Sequence, residues 1–203
     1  MRRAIDDGFI LDVLKNYETS KSRDVVGQKN FANLHTYDIV AKTFIIMTKF
    51  VNNTRHKIGG RAKAMVVTSS RLHAVKYFFA IKRYIESTKL SGVNVAIAFS
   101  GLVEDNGNIY SERSLNGFNE NRLVENFHGD ENNILVVAEK YLADFDEPSL
   151  HSMFVDKKLD GVKAVQIFSR LNRTCAGKVD TFILDFVNDE DAVRKAFLTF
   201  EPR

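Results

Sequence analysis

Apolar positions along the chain follow two regimes that meet at Gly59 and Gly60. Before the glycines, helical periodicity predicts helices over residues 4–18 and about 34–52, the second with a broad apolar face of Leu34, Tyr37, Ile39, Val40, Phe44, Ile45, Met47 and Phe50. The stretch Thr19 to Lys29 between them is polar and aperiodic. After the glycines, short β-branched runs alternate with longer amphipathic stretches. The runs predict strands over 64–68, 93–99, 134–138, 152–156 and 181–186, and the stretches predict helices over 71–89, 120–127, 161–172 and 189–197. Ser69 and Ser70 cap the first of these helices, and acids occupy the first turn of the last. Residues 104–119, rich in Asp, Glu, Gly and Asn, read as a long surface loop. Nearly continuous apolar strands need cover on both faces, so the pattern predicts a three-layer α/β domain with a mainly parallel sheet over 61–203. An α-helical N-terminal extension over 1–60 precedes it.

Composition adds boundaries. The 203 residues are 44% apolar and 27% charged, ordinary for a globular protein. One cysteine, Cys175, excludes a disulfide framework, reads as an ordinary thiol and fits a reducing cytoplasm. No apolar run reaches the roughly 18 residues of a membrane span, and acids stand near the start where a signal peptide would be apolar. The expectation is a soluble, cytoplasmic protein with no membrane partner. Net charge is only +3, but residues 42–89 hold eleven Lys or Arg against the single acid Glu86, while residues 102–132 hold seven acids against two arginines. A basic stretch of this kind either attracts phosphate backbones or decorates solvated helix faces, and composition does not choose between them.

In a parallel sheet the functional groups lie beyond the carboxyl ends of the strands, where helix N-termini meet. Three segments are expected there: Thr68, Ser69, Ser70 and Arg71; the run from Ala138 to Pro148; and the run from Gln166 to Arg173. In the last, Gln166, Arg170 and Arg173 share one face of a predicted helix. Two permanently charged forks three residues apart suit a polyphosphate, and Gln166 would position a water or a phosphate oxygen. His73 and His151 lack partners at ligand spacing, so no metal site is expected. Phe99, Phe145, Phe154 and Phe168 are expected in the core, and Lys157 and Lys158 reach either a phosphate or an acidic neighbour.

The block Gln166, Ser169, Arg170, Arg173 is similar to the last signature motif of superfamily 2 helicases and translocases, Q-x-x-G/S-R-x-x-R. The wider wording, Met153 to Lys178 followed by Asp180 to Asp189, resembles the motor of the R subunit of type I restriction-modification enzymes. The resemblance covers most of residues 1–190 and implies a second RecA-like motor domain. In that reading Arg173 is the arginine finger, Arg170 its partner at the γ-phosphate and Gln166 their support, with Asp146 also at the nucleotide. Thr68, Ser69, Ser70 and Arg71 look like the motif that touches the DNA backbone, with Ser100, Gly101 and Lys140 beside them. The resemblance further implies ATP and Mg held mainly by an absent first motor domain. Its implied partners are double-stranded DNA, the first motor and nuclease domains, and the modification and specificity subunits.

One motif departs from the family. Where Thr-Gly-Phe-Asp is usual, this chain reads Ala143, Asp144, Phe145, Asp146. A phosphate-binding hydroxyl is lost and a carboxylate is gained, which repels a phosphate although water and salt weaken the effect. Restoring Ala143→Thr with Asp144→Gly is expected to raise DNA affinity or DNA-stimulated turnover; no gain in either, by filter binding and a coupled ATPase assay, would contradict this. The chain carries no G-x-x-x-x-G-K-S/T loop, no D-E-x-H motif and no nuclease cluster. It therefore reads as one segment of a larger motor, the second lobe of an ATP-driven translocase. The alternative is a non-catalytic module that binds DNA or other subunits through its basic stretch. A stand-alone hydrolase lacks a nucleophile–base pair.

Overall fold

The computed structural model describes residues 12–19, 34–129, 132–141 and 145–199. Six strands form one parallel sheet: β1 (Tyr17–Thr19), β2 (Lys63–Thr68), β3 (Val95–Ala98), β6 (Ile134–Val137), β7 (Leu150–Asp156) and β8 (Phe182–Asp185), in the order β1-β8-β7-β2-β6-β3. β2 sits in the middle, where Val66 is in register with Val136 of β6 and Phe154 of β7. A separate antiparallel ribbon pairs β4 (Val103–Asp105) with β5 (Asn108–Tyr110). The helices are α1 (Leu34–Lys49), α2 (Arg71–Thr88), α3 (Glu112–Asn116), α4 (Leu123–His128), α5 (Gly161–Phe168) and α6 (Glu190–Thr199).

Because side chains alternate across a strand, the apolar runs feed two cores. Met65, Val67, Leu135, Val137, Met153 and Val155 point to one face and pack with Leu123 and Phe127 of α4, Ile167 and Phe168 of α5 and Val193 of α6. Ala64, Val66, Ile134, Val136 and Phe154 point to the other and pack with Ile46 and Met47 of α1 and Tyr77, Phe78 and Ile81 of α2. Each of the Val, Leu, Ile, Met and Phe side chains, fully buried, contributes about 1.5–3 kcal/mol, which is why the middles of the strands are apolar on both faces. Phe99, Phe145, Phe154 and Phe168 are all core residues.

The structure corrects four local expectations. Residues 12–16 are turn and Tyr17–Thr19 is an edge strand paired with β8, not the end of a helix over 4–18. Tyr17 is buried and donates to Asp185 Oδ2 at 3.0 Å, a contact that outweighs helical periodicity. The acidic stretch 104–119 is not plain loop. Asn106 (φ 50°) and Gly107 (φ 77°) make its hairpin turn, and Ser111 caps α3 by exchanging hydrogen bonds with Ser114. The helix expected over 34–52 extends as a π-turn over Phe50–Thr54. The helix expected over 161–172 ends at Phe168, tightens to a 3-10 turn over Ser169–Asn172 and leaves Arg173 extended (φ −60°, ψ 129°). The altered residues Ala143 and Asp144 lie outside the described residues, as do most of those expected in the first helix and the polar stretch after it.

α5 and α6 touch at Gly161, where an added Cβ would lie 2.9 Å from Ala196 Cβ. A methyl group cannot swing away, so Gly161→Ala is expected to cost about 1–3 kcal/mol of stability by urea unfolding; an unchanged midpoint would mean the helices part freely.

Candidate functional site

At the carboxyl end of the sheet, β2, β3 and β6 converge on a groove of about 330 Å³ lined by Ser69, Ser70, Arg71, Phe99, Ser100, Lys140 and the acid Glu139. Ser70 caps α2, its hydroxyl accepting from His73 N at 3.2 Å, and Ser69 Oγ meets His73 Nδ1. Arg71 donates to Ser100 O at 2.9 Å. Gly101 takes φ +78°, a conformation that favours glycine, and a Cβ there would meet the movable end of Arg71 at 3.1 Å. Thr68 is placed otherwise than expected: it is buried, with its hydroxyl turned to Val137 O at 3.0 Å and Ser70 O at 3.1 Å. Lys140 lies at the groove, but its ammonium meets Glu112 at 3.0 Å and Glu120 at 3.2 Å. Glu112 is fully buried and also accepts from Phe99 N at 3.0 Å; burial pushes its pKa up against the pull of Lys140.

The arginine segment is at the opposite end of the sheet, which corrects the expectation of a single carboxyl-end site. Arg173 Nε lies 3.0 Å from Asp146 Oδ1, and Asp146 precedes the first residue of β7. The reason is length. Eight helical residues at about 1.5 Å and four 3-10 residues at about 2 Å carry the chain roughly 20 Å back along β7, whose seven residues rise about 3.3 Å each. Gln166 and Arg170 stand one turn apart, Gln166 exposed and Arg170 half-buried, while Arg173 is outside the helix. Arg170 Nε is buried and finds no acceptor among the described residues. Both members of the Arg173–Asp146 pair are mostly exposed, so the pair contributes no more than about 1 kcal/mol and exchanges readily for another anion. Below it, Lys178 is buried and donates to Arg173 O at 2.7 Å, Leu171 O at 2.8 Å and Pro148 O at 3.1 Å. Nothing in the local pattern marks Lys178 as buried, and sequence reasoning missed it.

Part of the basic stretch is engaged within the molecule, while Arg61, Lys82, Arg83 and Lys89 are exposed. Lys42 pairs with Asp38 and Asp156, Lys49 with Glu18 and Lys57 with Asp180. Lys63, buried at the start of β2, holds the carbonyls of Phe127 and Gly129, and Arg55 holds Ser91 O. Asp156 takes Lys42 and the Tyr77 hydroxyl, while Lys157 reaches Ala138 O at 3.5 Å rather than an acid. Cys175 is half-buried, its Sγ 3.5 Å from Pro148 O.

His151 belongs to a polar chain at the amino end, with Ser152 Oγ 2.8 Å from Nδ1 and Asp180 Oδ1 3.0 Å from Nε2; Thr54 and Lys57 extend it. Burial holds His151 below the ordinary 6.5, although Asp180 pulls it up. The unfolded chain therefore binds this proton first, and the corresponding stability is full above pH 6.5 and lost as pH falls towards the folded value. Unfolding in urea at pH 7 and pH 5 should show that loss in the native protein and a smaller one in His151→Gln; equal losses would contradict it.

Over residues 110–188 the chain matches the family described as type I restriction enzyme subunit R domain 3. An endonuclease subunit of the type I restriction enzyme MjaVIIP of Methanocaldococcus jannaschii is 33% identical over 138 residues, covering 62% of this chain and 13% of that protein. The chain spans 13% and 17% of the length of two curated relatives it matches. A fragment of the HsdR subunit of a type I restriction enzyme from Vibrio vulnificus YJ016 superposes with TM-score 0.60 at 18% identity, over 91% of this chain and 33% of that one. The ATP-dependent type ISP restriction-modification enzyme LlaBIII, bound to DNA, gives TM-score 0.52 at 14% identity, over 96% and 14% of the two chains. The fold is that of RecA-like helicase domains.

Proposed function

We propose that this chain, which belongs to the type I restriction enzyme R subunits through its helicase-like domain, acts as the second motor lobe of an ATP-dependent double-stranded DNA translocase. The observation that carries the reading is the arginine pair. Arg173 is exposed and loosely held by Asp146, and beside it Arg170 Nε is a buried donor with no acceptor among the described residues. An orphaned buried N–H costs about 1–3 kcal/mol, which a phosphate oxygen would relieve once the Arg170 side chain turns to meet it. Arg170 and Arg173 would hold the terminal phosphate of ATP, with Gln166 and Asp146 near it. The chain has no phosphate loop, so the rest of the ATP site and its Mg belong to a first motor domain. Hydrolysis of ATP supplies the free energy for movement. At the other end of the sheet, Ser69, Ser70, Arg71 and Ser100 line the groove, and with the neighbouring Gly101 they would offer hydroxyls and backbone N–H groups to the DNA backbone.

Closure of the two lobes on ATP and reopening after hydrolysis would shift these DNA contacts by a step. DNA cleavage would come from a nuclease domain, and site recognition from the modification and specificity subunits. The neutralisation of Lys140 by Glu112 and Glu120 favours a second reading, a non-catalytic module with a weakened DNA grip. Turnover by this chain joined to the matching first lobe, with and without Arg173→Ala, separates the two: equal DNA-stimulated ATP hydrolysis leaves only the module.

A further inference from the structure

The Arg173–Asp146 pair is exposed on both sides and cannot by itself fix where the guanidinium stands. What lies beneath it can. Lys178 directs its three N–H bonds at three carbonyls from two separate segments: Leu171 and Arg173 after α5, and Pro148, two residues beyond Asp146. One bond thus goes to the backbone of Arg173 itself, and another to the segment that carries the Arg173 side chain's partner. Among the described residues no carboxylate pairs with Lys178, so its three donors are given wholly to the backbone of these two segments. We infer that Lys178 is the positioning residue of Arg173, a buried clamp that locks the turn after α5 to the segment before β7 and so presents the guanidinium at a fixed place.

Two observations strengthen the inference. Lys178 follows Gly177, whose φ of +86° turns the chain back so that the ammonium comes under the carbonyls of residues five and seven positions earlier. Burial pulls the Lys178 pKa down to about 8 while Cys175 and Glu147 push it up, and His151 faces it from β7. At neutral pH it is still mainly an ammonium, with all three donors available. The inference rests on the reading of Arg173 as the γ-phosphate residue, but the clamp itself can be tested without any turnover.

Lys178→Met keeps the apolar stem and removes the donors. In this chain alone, the variant is expected to speed amide hydrogen exchange over residues 171–177 by about tenfold or more while the amides of β2, β6 and β7 keep their protection. Unchanged exchange in the segment would overturn the clamp. In the motor completed by a first lobe, Lys178→Met is expected to lower kcat by roughly a hundredfold, as misplacement of a reacting group does, with little change in KM for ATP. In an Arg173→Ala background it should cost nothing further, because both act through one guanidinium; additive losses would overturn the inference in favour of a merely structural lysine. If Arg173→Ala leaves turnover intact, the functional reading fails and hydrogen exchange alone decides the clamp. Should Lys178→Met not fold, the native chain decides the matter: a slowly exchanging Lys178 ammonium signal in 15N NMR supports three fixed bonds, and a signal lost to rapid solvent exchange overturns them.

Discussion

Replacing Arg173 by alanine is expected to lower DNA-stimulated ATP turnover of the completed motor by about a thousandfold or more, equivalent to about 4 kcal/mol of transition-state stabilisation. The size follows from what is removed on the proposed reading: a permanent, delocalised charge with a rigid fork of donors, which would stand where charge builds on a transferring phosphoryl group. Stability should hardly change. Arg173 is extended and exposed, and among the described residues its guanidinium pairs with the exposed Asp146, so unfolding midpoints of the two proteins should coincide within error. Arg173→Lys keeps the charge but loses the fork and should fall between the two. Stopped-time ATPase assays over a range of ATP concentration distinguish a loss in kcat from a loss in binding. A drop confined to KM would mean that Arg173 only helps to hold ATP.

Asp185→Ala should have the largest effect on stability, about 3–5 kcal/mol, because it leaves several donors at the end of β8 without their acceptor, at about 1–3 kcal/mol for each one that is buried. Asp185 is fully buried at the end of β8 and accepts from the Tyr17 hydroxyl at 3.0 Å, Val187 N at 2.9 Å, Asn188 N at 2.8 Å and Asn188 Nδ2 at 3.0 Å. Its removal takes this acceptor from all four donors and loosens Asn188, which itself holds Leu159 N at 2.8 Å and Lys157 O at 2.9 Å in the turn before α5. The helix that carries Gln166 and Arg170 would lose its anchor along with edge strand β1. Asp185→Asn, which keeps the shape, should cost less. Urea unfolding with an unchanged slope measures both, and a loss under about 1 kcal/mol for alanine would show that water takes over the orphaned groups.

The parallel sheet is legible in the sequence because strands buried on both faces leave a mark that needs no partner: short β-branched runs such as Ala64 to Thr68 and Ile134 to Ala138. Caps such as Ser70 are equally local. What escapes depends on distant partners. Three residues of β1 have no pattern of their own, and pairing with Ile183, Leu184 and Asp185, more than 160 positions away, makes them a strand. The hairpin signal at Asn106 and Gly107 is present, but the acidic, polar residues around it mask the short strands on either side. The wording of the arginine segment does not fix its side of the sheet, because the carboxyl-end rule takes no account of the rise of the helix that carries it. Charge is the least legible property. Lysines at 42, 49, 57, 63, 140 and 178 look like surface charge in the sequence, yet each is engaged by carboxylates or carbonyls within the fold.

The central claim, that Arg173 reaches the γ-phosphate across a cleft between two lobes, is tested most directly by the affinity of this chain for the matching first motor lobe, measured by titration calorimetry with ADP·BeF3 and with ADP. If the claim holds, the γ-phosphate mimic tightens association by about tenfold or more, and Arg173→Ala abolishes the difference while leaving the ADP value unchanged. Equal affinity with the two nucleotides, or a preference that survives Arg173→Ala, would contradict it.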